Sequence, residues 1–196
     1  VFSLRTDDGF GVGEFPDIKK LGDWANETKL SVIQILPIND TTANYTWTDS
    51  YPYAAISVYA LHPQYLSIEK LEYALPKDLV EDYQAKKAEL NALSLIDYEQ
   101  MISGKWKYTT AVFEANKEAI LKDKNFKKFI KDNEEWLMPY SAFCVLRDKY
   151  KTPNFNEWKT HKKYVAGKVA TLYSSKHKEY SQLMLHAWVQ YQLHLQ

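Results

Sequence analysis

The chain has 196 residues, with 25 basic and 25 acidic side chains, so its formal net charge is zero. A neutral chain lacks the positive excess that phosphate recognition requires, which excludes nucleic acid as the main partner and removes a polybasic membrane patch. No apolar run approaches the ~20 residues that span a bilayer, and the single cysteine, Cys144, permits no internal disulfide, a pattern that suits a reducing, cytoplasmic setting.

In chain order, VFSLR (Val1 to Arg5) predicts a short strand, followed by the Gly-rich loop DDGFGVGEFP. Ile18, Leu21, Gly22 and Ala25 keep helical spacing, with Trp24 beside them, which predicts an amphipathic helix over Asp17 to Thr28. SVIQILP (residues 31–37) is nearly continuous in apolar, β-branched residues. A strand without polar alternation is usually covered on both faces, as in a parallel sheet, so strand, helix and strand predict a βαβ unit with a right-handed crossover. The next stretch, DSYPYAAISVYALHP (residues 49–63), is unusual for a connection. It carries Tyr51, Tyr53 and Tyr59, with Tyr45 and Trp47 just ahead. Flat rings with polar edges suit a concave site for a ligand with flat faces and many hydroxyls; packing of the rings against the body of the protein is the competing reading.

From Pro76 the pattern is helical almost without strands. The candidates are Lys77 to Leu93, Asp97 to Leu121, Asn125 to Tyr150 with an interruption near Pro139, and Ser174 to Gln196. The runs DKNFKKFIK and HKKYVAGK read as solvated helix faces, because acidic residues are interleaved along a neutral chain. The division is therefore residues 1–75, a βαβ part with a substrate loop, and residues 76–196, a helical subdomain. The apolar spacing of the last segment persists to Gln196 without a stop signal. Two parallel strands make no stable sheet and a barrel needs eight, over ~250 residues, so the reading is the opening of a larger domain.

Several motifs carry less than their appearance suggests. Gly9, Gly11 and Gly13 lie between a predicted strand and helix, but Glu14 stands where a dinucleotide fingerprint needs its third glycine. His186 and His194 lie two turns apart with Gln190 between them, and a metal would need a further ligand that the sequence does not name. Cys144, in SAFCVLRD, reads as a buried, inert thiol. Asp7, Asp8, Glu14, Asp40 and Asp49 are carboxylates near predicted strand ends. Glycoside chemistry uses two such groups, ~5–5.5 Å apart in retaining enzymes, while turn and cap roles account for most carboxylates in such places. Asp40 and Asp49 hold the best positions for meeting a ligand.

VFSLRTDDGFGVGEFPDIKKLGDWA, then LSVIQILPINDT, then DSYPYAAISVYALHPQYL, resemble the start of the 4-α-glucanotransferases, also called amylomaltases or disproportionating enzymes (glycoside hydrolase family 77). SLR and DSYPYAAIS are similar to the longer, type II branch. IDYEQMISGKW and EEWLMPYSAFCVLRDKY match more loosely. The resemblance implies the opening strands of a (β/α)8 TIM barrel followed by a mostly α-helical inserted subdomain. It implies transfer of α-1,4-glucan segments between maltodextrins with retention, through a glucosyl-enzyme intermediate, with no metal or organic cofactor. It implies that Tyr53 lines the donor site, that Asp49 and Ser50 shape the same loop, and that Trp47 falls near an aromatic of a secondary glucan-binding surface in shorter relatives. The family's catalytic aspartate, glutamate and second aspartate come from later strands, so no residue here takes a catalytic role and the chain alone is expected to be inactive. The alternative is a non-catalytic helical interaction or glucan-binding module.

Overall fold

A computed structural model describes all 196 residues. Seven helices dominate it: α1 (Phe15–Glu27), α2 (Lys77–Ala92), α3 (Tyr98–Lys122), α4 (Lys124–Asp132), α5 (Glu134–Tyr150), α6 (Ala166–Leu172) and α7 (Tyr180–Leu195). Helix α7 is the centre of the molecule. Every residue from Leu183 to Leu193 is buried, and α5 packs along it, with α3 and α4 also against it. A helix apolar on most faces must be enclosed on most faces, and α7 is.

The expected opening of a barrel is not what this chain forms, and this corrects the sequence reading. No β-strand is present; the sole pairing is one antiparallel bridge between Asn39 and Leu61. Val1 to Arg5 folds back as a turn, with Leu4 N–H donating to Val1 O at 2.8 Å and Gly13 N–H to Phe2 O at 3.0 Å. Residues 31–37 lie open to solvent, with Val32 82% exposed. The physical reason is pairing. An apolar run becomes a strand only when a neighbour supplies donors and acceptors for its backbone, and the backbone of residues 31–37 makes no hydrogen bond to any other backbone group. Extended chain further on is held by side chains instead. On α7, the Gln190 amide accepts from Leu61 N–H and donates to Leu61 O, both at 2.8 Å, and Gln196 does the same with Ser67, also at 2.8 Å. Glutamine amides thus stand where a neighbouring strand's peptide groups would.

The helices follow their sequence signals closely. Helix α1 begins two residues earlier than the spacing suggests, because Glu14 and Asp17 form a reciprocal capping box around Pro16. It ends where Lys29 adopts a positive φ of 58°, with Leu30 N–H returning to Ala25 O at 2.8 Å. The break between α4 and α5 falls at Asn133, not at Pro139. Asn133 takes the indole N–H of Trp136 at 2.9 Å, and Pro139 sits within the second turn of α5, where only one internal hydrogen bond is forfeited. Helix α7 starts six residues later than Ser174, after a run of turns.

The Gly-rich loop is a structural closure onto α2. Arg5 donates to the terminal carbonyls Leu90 O, Asn91 O and Leu93 O, at 3.0, 3.1 and 2.8 Å. Asn91 bridges back to Gly11 N–H and Gly9 O, at 2.8 and 2.9 Å. Gly11 has φ +76° with Leu90 pressed against it, and a Cβ at Gly13 would come within 2.0 Å of Val1 O. Both positions therefore require glycine.

Candidate functional site

The aromatic connection is a closed loop. Its base is the short antiparallel contact: Asp40 N–H donates to Ala60 O at 2.8 Å and His62 N–H to Ile38 O at 2.9 Å. Within it, Asp49 is 4% exposed. Its Oδ2 accepts three successive backbone N–H groups, from Ala43, Asn44 and Tyr45, at 3.0, 2.8 and 2.7 Å. Thr41 Oγ1 donates to Asp49 O. A carboxylate that gathers three N–H groups folds a turn around itself, which lets Tyr45 hold a positive φ of 60°.

Asp40, also buried, accepts from Thr42 N–H at 2.9 Å, from Thr42 Oγ1 at 2.6 Å and from Tyr140 of α5 at 2.6 Å. His62 Nδ1 lies 3.9 Å from Asp40, yet this is not a charge pair. Nδ1 already accepts Gln64 N–H at 3.1 Å, and burial holds the imidazole pKa below its usual value against the pull of Asp40. Burial, reinforced by the Asp40 charge, pushes the Tyr140 hydroxyl upward, so it stays a donor.

The far side of the loop is pinned by α5. Arg147, 2% exposed, donates to Thr42 O and to the Tyr45 hydroxyl, each at 2.5 Å, and to Asp148 Oδ1 at 2.8 Å. The Tyr45 hydroxyl donates on to Asp148 Oδ2 at 3.1 Å. Burial would raise the Asp148 carboxyl, but the facing His186 imidazole, the Arg147 hydrogen bond and the Arg147 charge outweigh it and lower its pKa to about 2. Held at base and side, the loop turns Trp47, Tyr51 and Tyr53 outward. Trp47 is 68% and Tyr53 62% exposed, and the Tyr51 and Tyr53 rings stand 5.5 Å apart, tilted by 59°. Ser50 is half-buried in the 3₁₀ turn Trp47–Ser50.

Beside this turn opens a cleft of about 1140 Å³ between α3, α5 and α7. Trp47 N–H donates to Glu99 Oε1 on its rim at 2.8 Å. Its wall holds Trp106, whose ring meets His186 edge-on at 4.9 Å. The Trp106 indole N–H is buried without an acceptor. His186 Nε2 faces Asp148 at 3.7 Å.

A family model described as 4-alpha-glucanotransferase matches residues 1–196. The chain belongs to the 4-alpha-glucanotransferase family. It is 38% identical over 196 residues to the rice (Oryza sativa subsp. japonica) protein named 4-alpha-glucanotransferase DPE2, a match covering all of this chain and 21% of the rice protein. It is 33% identical over 159 residues to a 4-alpha-glucanotransferase of Chlamydia caviae, covering 81% of this chain and 29% of that protein. A 4-alpha-glucanotransferase of Clostridium butyricum is 29% identical over 153 residues, covering 76% of this chain and 29% of its own length. The chain thus spans between a fifth and a third of the length of these curated relatives.

Within this family member the four residues singled out from sequence fall on one short stretch and divide by environment. Trp47 and Tyr53 face solvent, Ser50 lies between, and Asp49 is turned inward as the organiser of the loop. The other carboxylates are engaged elsewhere. Asp8 meets Lys20 at 2.6 Å on the surface, and Glu14 is buried against Lys105 at 2.6 Å. His186 and His194 serve separate contacts, His194 Nδ1 lying 2.8 Å from Gln190 O. Cys144 is buried, and burial pushes its thiol up to about 12. Sequence reasoning missed Arg147, Asp148, Glu99 and Trp106. They come from α3 and α5, 50 to 100 residues beyond the loop, and no local spacing signals them.

Proposed function

We propose that this chain is part of an enzyme that transfers α-1,4-glucan segments between maltodextrins with retention, and that its share of the work is to bind glucan along the loop 47–53. Tyr53 and Tyr51 offer ring faces to the sugar, Trp47 extends that surface toward the cleft at Glu99, and Asp49 and Ser50 hold the loop in shape. The observation that carries this is the exposure of three large rings on a loop whose base is fixed by buried polar groups. A protein that only needed to pack those rings would bury them. Membership of the family supplies the substrate class, an α-glucan.

Glu14, Asp40 and Asp49, the carboxylates near the predicted strand ends that are buried, are each engaged by buried donors. That supports a division in which the bond-breaking groups lie in other parts of the protein and this chain alone does not disproportionate. The single unpaired cysteine and the neutral surface support a cytoplasmic setting; no helix is long and apolar enough to cross a membrane. The test is incubation of the full-length protein that carries this chain with maltotriose. Glucose plus a ladder of longer maltodextrins is expected, and the ladder should shrink in Tyr53→Ala. Glucose and maltose with nothing longer would contradict transfer.

A further inference from the structure

The exposed carboxylate of Glu99, in the first turn of α3, has a single polar partner. Its one hydrogen bond comes from Trp47 N–H at 2.8 Å, and it joins no ion pair. It is not the cap of its own helix, because Asp97 takes that role and accepts Gln100 N–H at 3.0 Å. The ground on which Glu99 stands is firm. Tyr98, the residue before it, is 2% exposed, and its hydroxyl lies 3.4 Å from His62 Nε2 at the base of the aromatic loop. The other end of the bond has no such support from its own loop. Asp49 gathers the N–H groups of Ala43, Asn44 and Tyr45 but not that of Trp47, the first residue of the 3₁₀ turn. The first N–H groups of a helical turn have no partner within it. Tyr51 and Tyr53 stand against each other, whereas Trp47 is 68% exposed and pairs with no ring. Glu99 thus fixes the backbone beneath the one outward ring that its own loop leaves unbraced.

We propose that Glu99 is a positioning residue: it sets where the Trp47 ring stands and, through that ring, the preference of the loop for long over short glucans. This rests on the reading of the loop 47–53 as a glucan surface. Trp47 is the first residue of the turn, and Tyr51 and Tyr53 follow its last. A short glucan engages one end of the turn. A longer one engages both, and its second contact is intramolecular, with a gain that depends on how the two surfaces are held relative to each other. A ring that must be ordered on binding forfeits part of that gain. The bond from Trp47 N–H ends on an ionised acceptor, which makes it stronger than a neutral one, and it ties the turn to a helix 52 residues further along the chain. The competing role for Glu99 is an acid that favours the positive end of α3. That role needs only the charge. Glutamine separates the two, since it keeps an acceptor oxygen and loses the charge.

The test is calorimetric titration of the 196-residue chain with maltotriose and with maltoheptaose, on wild type, Glu99→Gln, Glu99→Ala and Tyr53→Ala, each first shown to be folded by circular dichroism. Wild type is expected to prefer maltoheptaose. That preference, taken as the ratio of the two affinities, should fall about fivefold in Glu99→Ala, the share of one stacked ring, and should stay at the wild-type value in Glu99→Gln. An unchanged ratio in Glu99→Ala would overturn the proposal. So would Glu99→Gln behaving like Glu99→Ala, which would assign Glu99 to the dipole of α3. If Tyr53→Ala weakens binding while Glu99→Ala leaves the ratio alone, only this proposal falls. If the folded wild type binds neither glucan, the reading of the loop falls and this proposal falls with it.

Discussion

Replacing Lys105 with methionine should destabilise the fold more than any surface change. Lys105 is 2% exposed and its ammonium uses all three donors: Glu14 Oε1 at 2.6 Å, Gln64 O at 2.6 Å and Leu66 O at 2.7 Å. It ties α3 to the start of α1 and to the segment at 64–66. Methionine keeps the length of the side chain but leaves a buried carboxylate without its counter-charge and two carbonyls without a donor. Removing one partner of a buried pair costs ~3–5 kcal/mol, a large part of a total stability of ~5–15 kcal/mol. The assay is urea unfolding followed by far-UV circular dichroism and tryptophan fluorescence on wild type, Lys105→Met, Glu14→Gln and the double variant. Glu14→Gln keeps an oxygen for Phe10 N–H and for the helix cap. The double variant should lose less than the sum of the singles, by ~1–3 kcal/mol, because the stranded charge is gone. A loss below ~1 kcal/mol for Lys105→Met, or strict additivity, would refute the reasoning.

Asp49→Ala should open the loop, since three N–H groups lose their acceptor at once; a stability loss of ~2–4 kcal/mol is expected, with faster amide exchange at Ala43, Asn44 and Tyr45. Amides 31–36 should exchange rapidly in the monomer, and protection there would contradict the unpaired backbone described above. Cys144 should resist a thiol reagent until the protein unfolds, because burial both shields it and raises its pKa to about 12. Asp148 is ionised more readily in the folded state, so its contribution is complete above the ordinary carboxylate pKa of 3.8 and is lost as the pH falls through about 2. For a side chain one-third exposed the contribution is ~1 kcal/mol after allowance for solvent screening, and Asp148→Asn should flatten the acid-unfolding curve between those limits.

Helices α1, α2, α3 and α7 were legible from their 3.6-residue spacing, whereas α6 was not among the candidates; Asp97 and Asp123, whose side chains accept Gln100 and Phe126 N–H, set starts that spacing alone does not give. The strands were misjudged because SVIQILP states only what a segment prefers to bury. Whether it becomes a strand depends on a neighbour, and the sequence pattern is silent on which chain lies alongside. The break at Asn133 shows a similar limit, since proline is tolerated early in a helix and the chain leaves helical geometry at Asn133, with φ −117° and ψ 12°. At the site, the aromatic loop was conspicuous, but the inward turn of Asp49 was not. A carboxylate that binds a ligand and one that folds its own loop read alike until the N–H groups around it are seen. Arg147 and Asp148 were invisible for want of any local pattern linking α5 to residue 45.

The central claim is that the outward rings of this loop bind glucan. Its most direct test is calorimetric titration of the 196-residue chain with maltoheptaose, run in parallel on Tyr53→Ala. Saturable binding that weakens at least fivefold without the Tyr53 ring, in line with ~1 kcal/mol for a stacked aromatic, is what the loop geometry predicts. No binding by the folded wild-type chain, or equal affinity in both proteins, would contradict it.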